Sequence, residues 1–235
     1  MRRHLDAGIS AAQAARLTLA ERPRGAGGED ESAVGQLTSD LTEALDRLDE
    51  PGAHAAVDGL LARFTLRTVL RDVLLPYLHE LGERWERGEA SVAEEHFASN
   101  VLRGRLLGLA RAWGQSAGPR AVLACAPGEL HDLPLIMFGL ALAERGWSIT
   151  YFGADTPIAT IQEALEDVEP RLVVVSATTR RRLRGAQAQL TELARHVPIA
   201  LAGAGATERL ARATGASLLQ GDPVTAAERL ADEHR

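Results

Sequence analysis

The chain has a single cysteine, Cys125, among its 235 residues. One thiol excludes a disulfide framework and any multi-cysteine metal cluster within one chain, and it fits a reducing compartment. Aromatic residues make up only 4% of the sequence, so each of the three tryptophans has to be accounted for. No apolar run approaches the ~20 residues of a membrane span. The arginine-rich start lacks the apolar core of a secretory signal, so a cytoplasmic location away from membranes is expected. Positive charge is in deficit: the formal net charge of -6 argues against non-specific nucleic-acid binding through the whole surface. No Walker A, G-x-S-x-G or paired-cysteine motif is present.

What remains is ordinary for a folded protein, with 46% apolar and 25% charged residues, and it divides by hydrophobic period. From about Ala33 to Trp113 the apolar residues recur at helical spacing, with weak interruptions at Pro51-Gly52, around Thr65 and at Arg87-Gly88-Glu89. That predicts four helices. Leu37, Leu41, Leu45 and Leu48 form the stripe of the first, and Val57, Leu60, Leu61 and Phe64 that of the second. Val69, Val73, Leu74, Leu78 and Leu81 serve the third, while Phe97, Val101, Leu102, Leu106 and Leu109 serve the fourth. The fourth opens on Ser91-Val92-Ala93-Glu94, a capping-box pattern in which serine and glutamate satisfy the first free amides. Four amphipathic helices with short connections predict a four-helix bundle over residues 33–114.

After the linker Gln115-Ser116-Ala117-Gly118-Pro119 the period changes. Apolar runs at 121–126, 148–152, 172–176, 199–202 and 217–219 alternate with helical stretches near 135–145, 157–168, 183–196, 207–214 and 225–232. Continuous apolar strands separated by helices indicate a parallel sheet covered on both faces. Residues 119–235 are therefore expected to form a five-stranded, flavodoxin-like (Rossmann-like) α/β domain. Residues 1–32 are read as a short capped helix, Ser10 to Leu17, and a flexible linker at Arg24–Glu31.

In open α/β sheets ligands collect beyond the carboxyl ends of the strands. Glu129-Leu130-His131 lies in the turn after the first predicted strand, which puts an imidazole at that mouth. A carboxylate two residues before a histidine suits metal ligation, because it can accept the spare ring N–H and direct the other nitrogen outward. Ser176 and Thr178 close the third strand, and Gly203 and Gly205 close the fourth; the glycines would let a flat ligand or a polar tail approach the backbone. In the helical half, Trp85 ends the third helix and Glu95-His96 lie in the first turns of the fourth. The Arg87–Ala90 loop would bring these three to one end of the bundle, where an indole and an imidazole could cover a pocket.

Trp85 followed by Glu95-His96, at spacings of ten and eleven, resembles the W-x9-EH signature of cobalamin-binding photoreceptors of the CarH/LitR type. Glu129-x-His131 resembles the E/D-x-H-x-x-G motif that supplies the lower cobalt ligand in base-off cobalamin domains. The resemblance runs from about Leu37 to Leu219. It implies adenosylcobalamin as cofactor, with His131 as the lower axial ligand to cobalt and Glu129 as its hydrogen-bonding partner. Ser176, Thr178, Gly203 and Gly205 would line the slot for the nucleotide tail, while Trp85, Glu95 and His96 would cover the upper face. It further implies a light-driven change of conformation or oligomeric state, as dimer or tetramer, rather than catalysis.

Three departures from the family pattern stand out. Pro134 occupies the glycine position of E-x-H-x-x-G, and Glu86 follows the tryptophan where CarH-type receptors carry a histidine, for which His79 is a substitute candidate. Residues His4 to Leu19 resemble the last segment of the MerR-like region, with no winged helix-turn-helix before it, so specific DNA binding by this chain alone is not expected. Stand-alone relatives called photocobilins resemble this layout and bind a bilin such as biliverdin beside the cobalamin. A corrinoid carrier for methyl transfer is the enzyme-class alternative, since the same pair of halves occurs in methionine-synthase-like proteins.

Overall fold

A computed structural model describes residues 28–234, so the short helix predicted over residues 10–17 lies outside the described residues. The first helix, α1 (Gly28–Asp46), begins inside the stretch read as a linker. It ends in a turn where Leu48 adopts a left-handed φ of 57° and Asp49 N donates to Ala44 O at 2.8 Å. Leu48 is therefore 48% exposed and drops out of the stripe predicted for it. Asp49 then caps α2 (Glu50–Arg63), its side chain accepting from Gly52 N at 3.0 Å. Pro51-Gly52, expected to separate the first two helices, lies just inside the start of the second. Proline fits the first turn because the amide it lacks has no partner there.

The third helix, α3, covers residues 66–86 in three segments: Leu66–Thr68, a π-helical Val69–Leu74, and Leu75–Glu86. Leu75 N donates to Leu70 O, the five-residue step of a π-turn. This widening lies just before Pro76, which has no amide to give. Helix α4 (Val92–Leu109) carries the predicted capping box, with Glu94 N donating to Ser91 Oγ at 3.2 Å and Ser91 N to Glu94 Oε2 at 2.6 Å. Leu41, Leu45, Leu60, Leu70, Leu74, Leu102 and Leu106, all fully buried, fill the bundle interior.

The second half is a five-stranded parallel sheet in the order β2-β1-β3-β4-β5, formed by β1 (Arg120–Cys125), β2 (Ser148–Gly153), β3 (Leu172–Ser176), β4 (Ile199–Ala202) and β5 (Ser217–Leu218). The order reverses between β1 and β3, so their carboxyl ends border the crevice where doubly wound sheets take ligands. Cys125 pairs with Ser176 in that register. One apolar cluster runs without a break from the bundle into the sheet face covered by α5 (Leu133–Glu144) and the last helix, α9 (Pro223–Glu233). The other face packs under α6 (Ile158–Glu163 with Leu165–Val168), α7 (Arg180–Gly185 with Gln187–Leu193) and α8 (Glu208–Thr214). Trp113 and Trp147, both buried, serve packing as expected, and Trp113 meets Tyr151 of β2 edge to face, with ring centroids 5.5 Å apart. Among the described residues no helix is long and apolar enough to cross a membrane.

Candidate functional site

The loop after β1 is built by local turn chemistry. Glu129 N donates to Ala126 O at 2.9 Å, closing a turn with Pro127 second and Gly128 third, and Gly128 takes a φ of 77°. Proline presets the second position and glycine accepts the positive φ of the third. Asp155, after β2, reaches over and accepts from Gly128 N at 2.6 Å, while its own N–H donates to Glu129 O at 2.8 Å. Pro134 falls in the first turn of α5, where it removes no needed donor.

This loop folds Glu129 completely inward and leaves His131 outside. Glu129 is 0% exposed, while the His131 side chain is 64% exposed. Glu129 Oε1 accepts from His131 N at 2.9 Å and is 2.6 Å from His131 Nδ1. Its Oε2 accepts from Thr178 N at 2.7 Å, Thr178 Oγ1 at 2.6 Å and Arg182 Nη1 at 2.6 Å. Burial by itself raises the carboxyl's pKa, but the hydrogen bonds from Thr178 and His131 outweigh it and hold Glu129 at about 2. An ionised carboxylate only accepts, so His131 Nδ1 is the donor. That fixes the tautomer and leaves Nε2 as the lone-pair nitrogen, the arrangement of a metal-ligating histidine supported by a carboxylate. One nitrogen suits a metal whose other positions are filled by a cofactor's own donors.

The next residue is equally tied. Asp132, 3% exposed, accepts through Oδ2 from Arg103 Nε of α4 at 2.8 Å and from Tyr151 Oη at 2.7 Å. Burial and the Asp132 carboxylate together push the Tyr151 phenol upward. Cys125, buried beneath the loop, is pushed up to about 12 by burial and the nearby Asp132 and Glu129 charges, which leaves it an inert thiol.

The residues expected to act together separate into three groups. Glu129, His131 and Thr178 form one hydrogen-bonded unit across the β1/β3 crevice. Ser176 lies behind them, 8% exposed, its carbonyl accepting from Ala126 N at 2.9 Å. Gly203 and Gly205 answer to the protein's own backbone. A Cβ on Gly203, whose φ is 83°, would lie 2.5 Å from Ala177 O, and one on Gly205 would lie 2.5 Å from Thr179 O. Their lack of side chains is therefore explained by the close passage of the β3 and β4 exits.

In the bundle, Trp85 lies in the last turn of α3 and is 51% exposed. Glu95 and His96 lie in the first turns of α4, the His96 Nε2 3.6 Å from Glu95 Oε2 and its side chain 70% exposed. Glu95 also accepts from Ser99 Oγ at 2.8 Å. His96 shares a helix face with Arg103, seven residues on, at an axial rise of roughly 10 Å. Glu86 is exposed, and His79, proposed as its substitute, is 81% exposed and faces Glu83 at 3.2 Å. Arg182, Arg103 and Asp132 were missed by sequence reasoning. The Arg180-Arg181-Arg182 run after Thr178-Thr179 was the available signal for the first, and the buried Asp132 beside His131 has no local signature.

The B12 binding domain family matches the chain twice, over residues 37–107 and 119–231. The HTH-type transcriptional repressor CarA of Myxococcus xanthus is 30% identical over 209 residues, covering 87% of this chain and 69% of the relative. The repressor CarH of the same organism is 29% identical over 206 residues, covering 84% and 69%. Among solved structures, the monomethylamine corrinoid protein of Methanosarcina barkeri shares the fold, with a TM-score of 0.69 at 18% identity over 85% of this chain and 99% of that one. With both halves matched and a bundle packed on a parallel sheet, the chain belongs to the family of CarA- and CarH-like cobalamin-binding proteins.

Proposed function

We propose that this chain is a light sensor that holds adenosylcobalamin and reports illumination by changing its conformation or oligomeric state. The observation that carries the cofactor assignment is the exposed His131 imidazole with Nδ1 engaged by buried, ionised Glu129. His131 Nε2 would hold cobalt from its lower face. Glu129 and Thr178 keep that nitrogen presented, and the ordered turn at Pro127-Gly128 keeps the backbone from following the ligand. When bound, the cofactor supplies a corrin that absorbs visible light and a cobalt–carbon bond that light can break.

What favours sensing over methyl carriage is the upper-face set. Trp85 gives a half-exposed indole at one end of the bundle, and Glu95-His96 lie at the start of α4. The same helix is fastened beside His131 through Arg103 and Asp132. On this reading Trp85, Glu95 and His96 would cover a ligand held at His131, and α4 would register its loss. The output would be a change in how copies of the chain assemble, passed to a downstream regulator. Glu86 leaves the upper cobalt position without the family's histidine, and a bilin such as biliverdin is a second ligand for the same test.

The test is reconstitution in the dark with adenosylcobalamin, with and without biliverdin, followed by absorption spectra and size-exclusion elution before and after green illumination. A histidine-on spectrum that changes with light and shifts the elution volume supports the sensor, and a new far-red band adds the bilin. Tight binding with no change of assembly would favour a corrinoid carrier. Absence of cobalamin binding would overturn both.

A further inference from the structure

Arg182 belongs to α7, beyond the end of β3, yet its guanidinium turns back toward the loop after β1. Nη1 donates to Glu129 Oε2 at 2.6 Å and to Thr178 Oγ1 at 3.0 Å. An exposed arginine beside a solvated carboxylate would contribute little. Here the carboxylate is 0% exposed and the arginine side chain 28% exposed, so the contact is partly buried.

The two carboxylate oxygens have divided duties. Among the described residues Oε1 serves only His131, through its backbone and ring nitrogens. Oε2 is held by three donors, all from the exit of β3 and the helix that follows. Rotation of the carboxylate that moved Oε1 off the imidazole would have to break those three bonds. Thr178 supplies the two neutral donors and Arg182 the charged one, and within this cluster Arg182 is the countercharge that does not come from the histidine.

We propose that Arg182 is a positioning residue for the lower cobalt ligand: by pinning Glu129 Oε2 to the exit of β3, it fixes the Nδ1–H tautomer and the outward aim of Nε2 in His131. The inference rests on the assignment of His131 as that ligand. It gives the Arg180-Arg181-Arg182 run a specific member with a specific target, and it makes the ligand's direction a property of two strand exits rather than of one loop.

The test has an arm that needs no cofactor. Nitrogen-15 NMR of the histidine rings in apo-protein at about pH 8.5, where an imidazole is neutral, reads the His131 tautomer directly. The wild type should show Nδ1–H, and Arg182→Gln should shift the population toward Nε2–H, with Arg182→Lys in between. Titration with hydroxocobalamin should show affinity about tenfold lower or worse for Arg182→Gln, with partial rescue by Arg182→Lys and a weakened histidine-on spectrum. A folded Arg182→Gln protein with wild-type tautomer, affinity and spectrum would overturn the inference. Should Arg182→Gln not fold, the tautomer of Arg182→Lys decides: a wild-type Nδ1–H population overturns the inference and a shifted one supports it. The underlying assignment fails separately if the wild type gives no histidine-on spectrum or if His131→Ala leaves that spectrum unchanged, and the inference then falls with it.

Discussion

Arg103 Nε and Asp132 Oδ2 are 2.8 Å apart and join the helix that carries Glu95 and His96 to the residue next to His131. The two halves of the molecule thus meet at a charged contact one residue from His131. Asp132 is nearly fully buried, and Tyr151 occupies the same oxygen.

Breaking that contact should cost stability in a way that reveals coupling. Asp132→Ala leaves a guanidinium and a phenol without their acceptor and should destabilise the fold by about 3 kcal/mol. Arg103→Ala alone should cost about as much, because it leaves the buried Asp132 charge held by a neutral phenol, whereas the Arg103 side chain already reaches water. Urea denaturation of the two single variants and the double variant gives the coupling energy, expected at about 1 kcal/mol or more. A value near zero would mean this contact does not couple the halves, which the apolar cluster and the Arg67–Glu228 ion pair would then join.

Glu129 makes acid sensitivity predictable. Its carboxyl sits at about 2 against an ordinary 4.5. A carboxyl depressed by folding contributes stability that is whole above the ordinary value and is lost as pH falls through the folded one. Thermal melting of wild type should therefore fall between about pH 4.5 and pH 2 more steeply than melting of Glu129→Gln, which carries no charge to lose. Parallel curves for the two proteins would show that Glu129 is not the group responsible.

Gly205→Ala tests whether the β4 exit is shaped by the protein itself. The added Cβ would sit 2.5 Å from Thr179 O and 2.9 Å from Ala177 O, both backbone atoms that cannot swing aside. A loss of about 1–3 kcal/mol is expected in the absence of any ligand. A variant as stable as wild type but weaker in cobalamin binding would return the glycine to the ligand.

Trp85→Ala should separate binding from folding. With half its surface exposed, Trp85 contributes little to the core, and its removal should change stability by about 0.5 kcal/mol or less. The ratio of affinities for adenosylcobalamin and methylcobalamin should move toward one. An unchanged ratio would count against a covering role for the indole.

The sheet was readable because buried parallel strands appear as unbroken apolar runs: Leu172–Ser176 and Ile199–Ala202 fall where the residues alone place them. Errors came where one residue type carries two meanings. The interruption expected at Pro51-Gly52 falls just before it, at residues 47–49, because Asp49 caps the second helix and proline fits its first turn. Leu48 fitted a helical spacing that a left-handed turn had already ended. At the site, Glu129 and His131 were legible because they are two residues apart and their relation is local. Arg182 is 53 residues from Glu129, and Arg103 is 29 from Asp132. No periodicity links such positions, and only the folded chain brings them together. Gly203 and Gly205 also answer to the backbone that passes beside them, which a sequence does not show.

The wide turn at Val69–Leu74 also bears on how α3 and α4 tolerate changes in length. A π-turn takes up one residue more than ordinary winding needs, so α3 holds slack between its buried start and the indole at its end. Removing one residue there would tighten the turn and leave Trp85 and Leu81 on their present faces. Helix α4 holds no such reserve: the same deletion between His96 and Arg103 would swing the imidazole about 100° around the axis. Of the helices that carry Trp85 and His96, one can change length by a residue without losing its aim, and the other cannot.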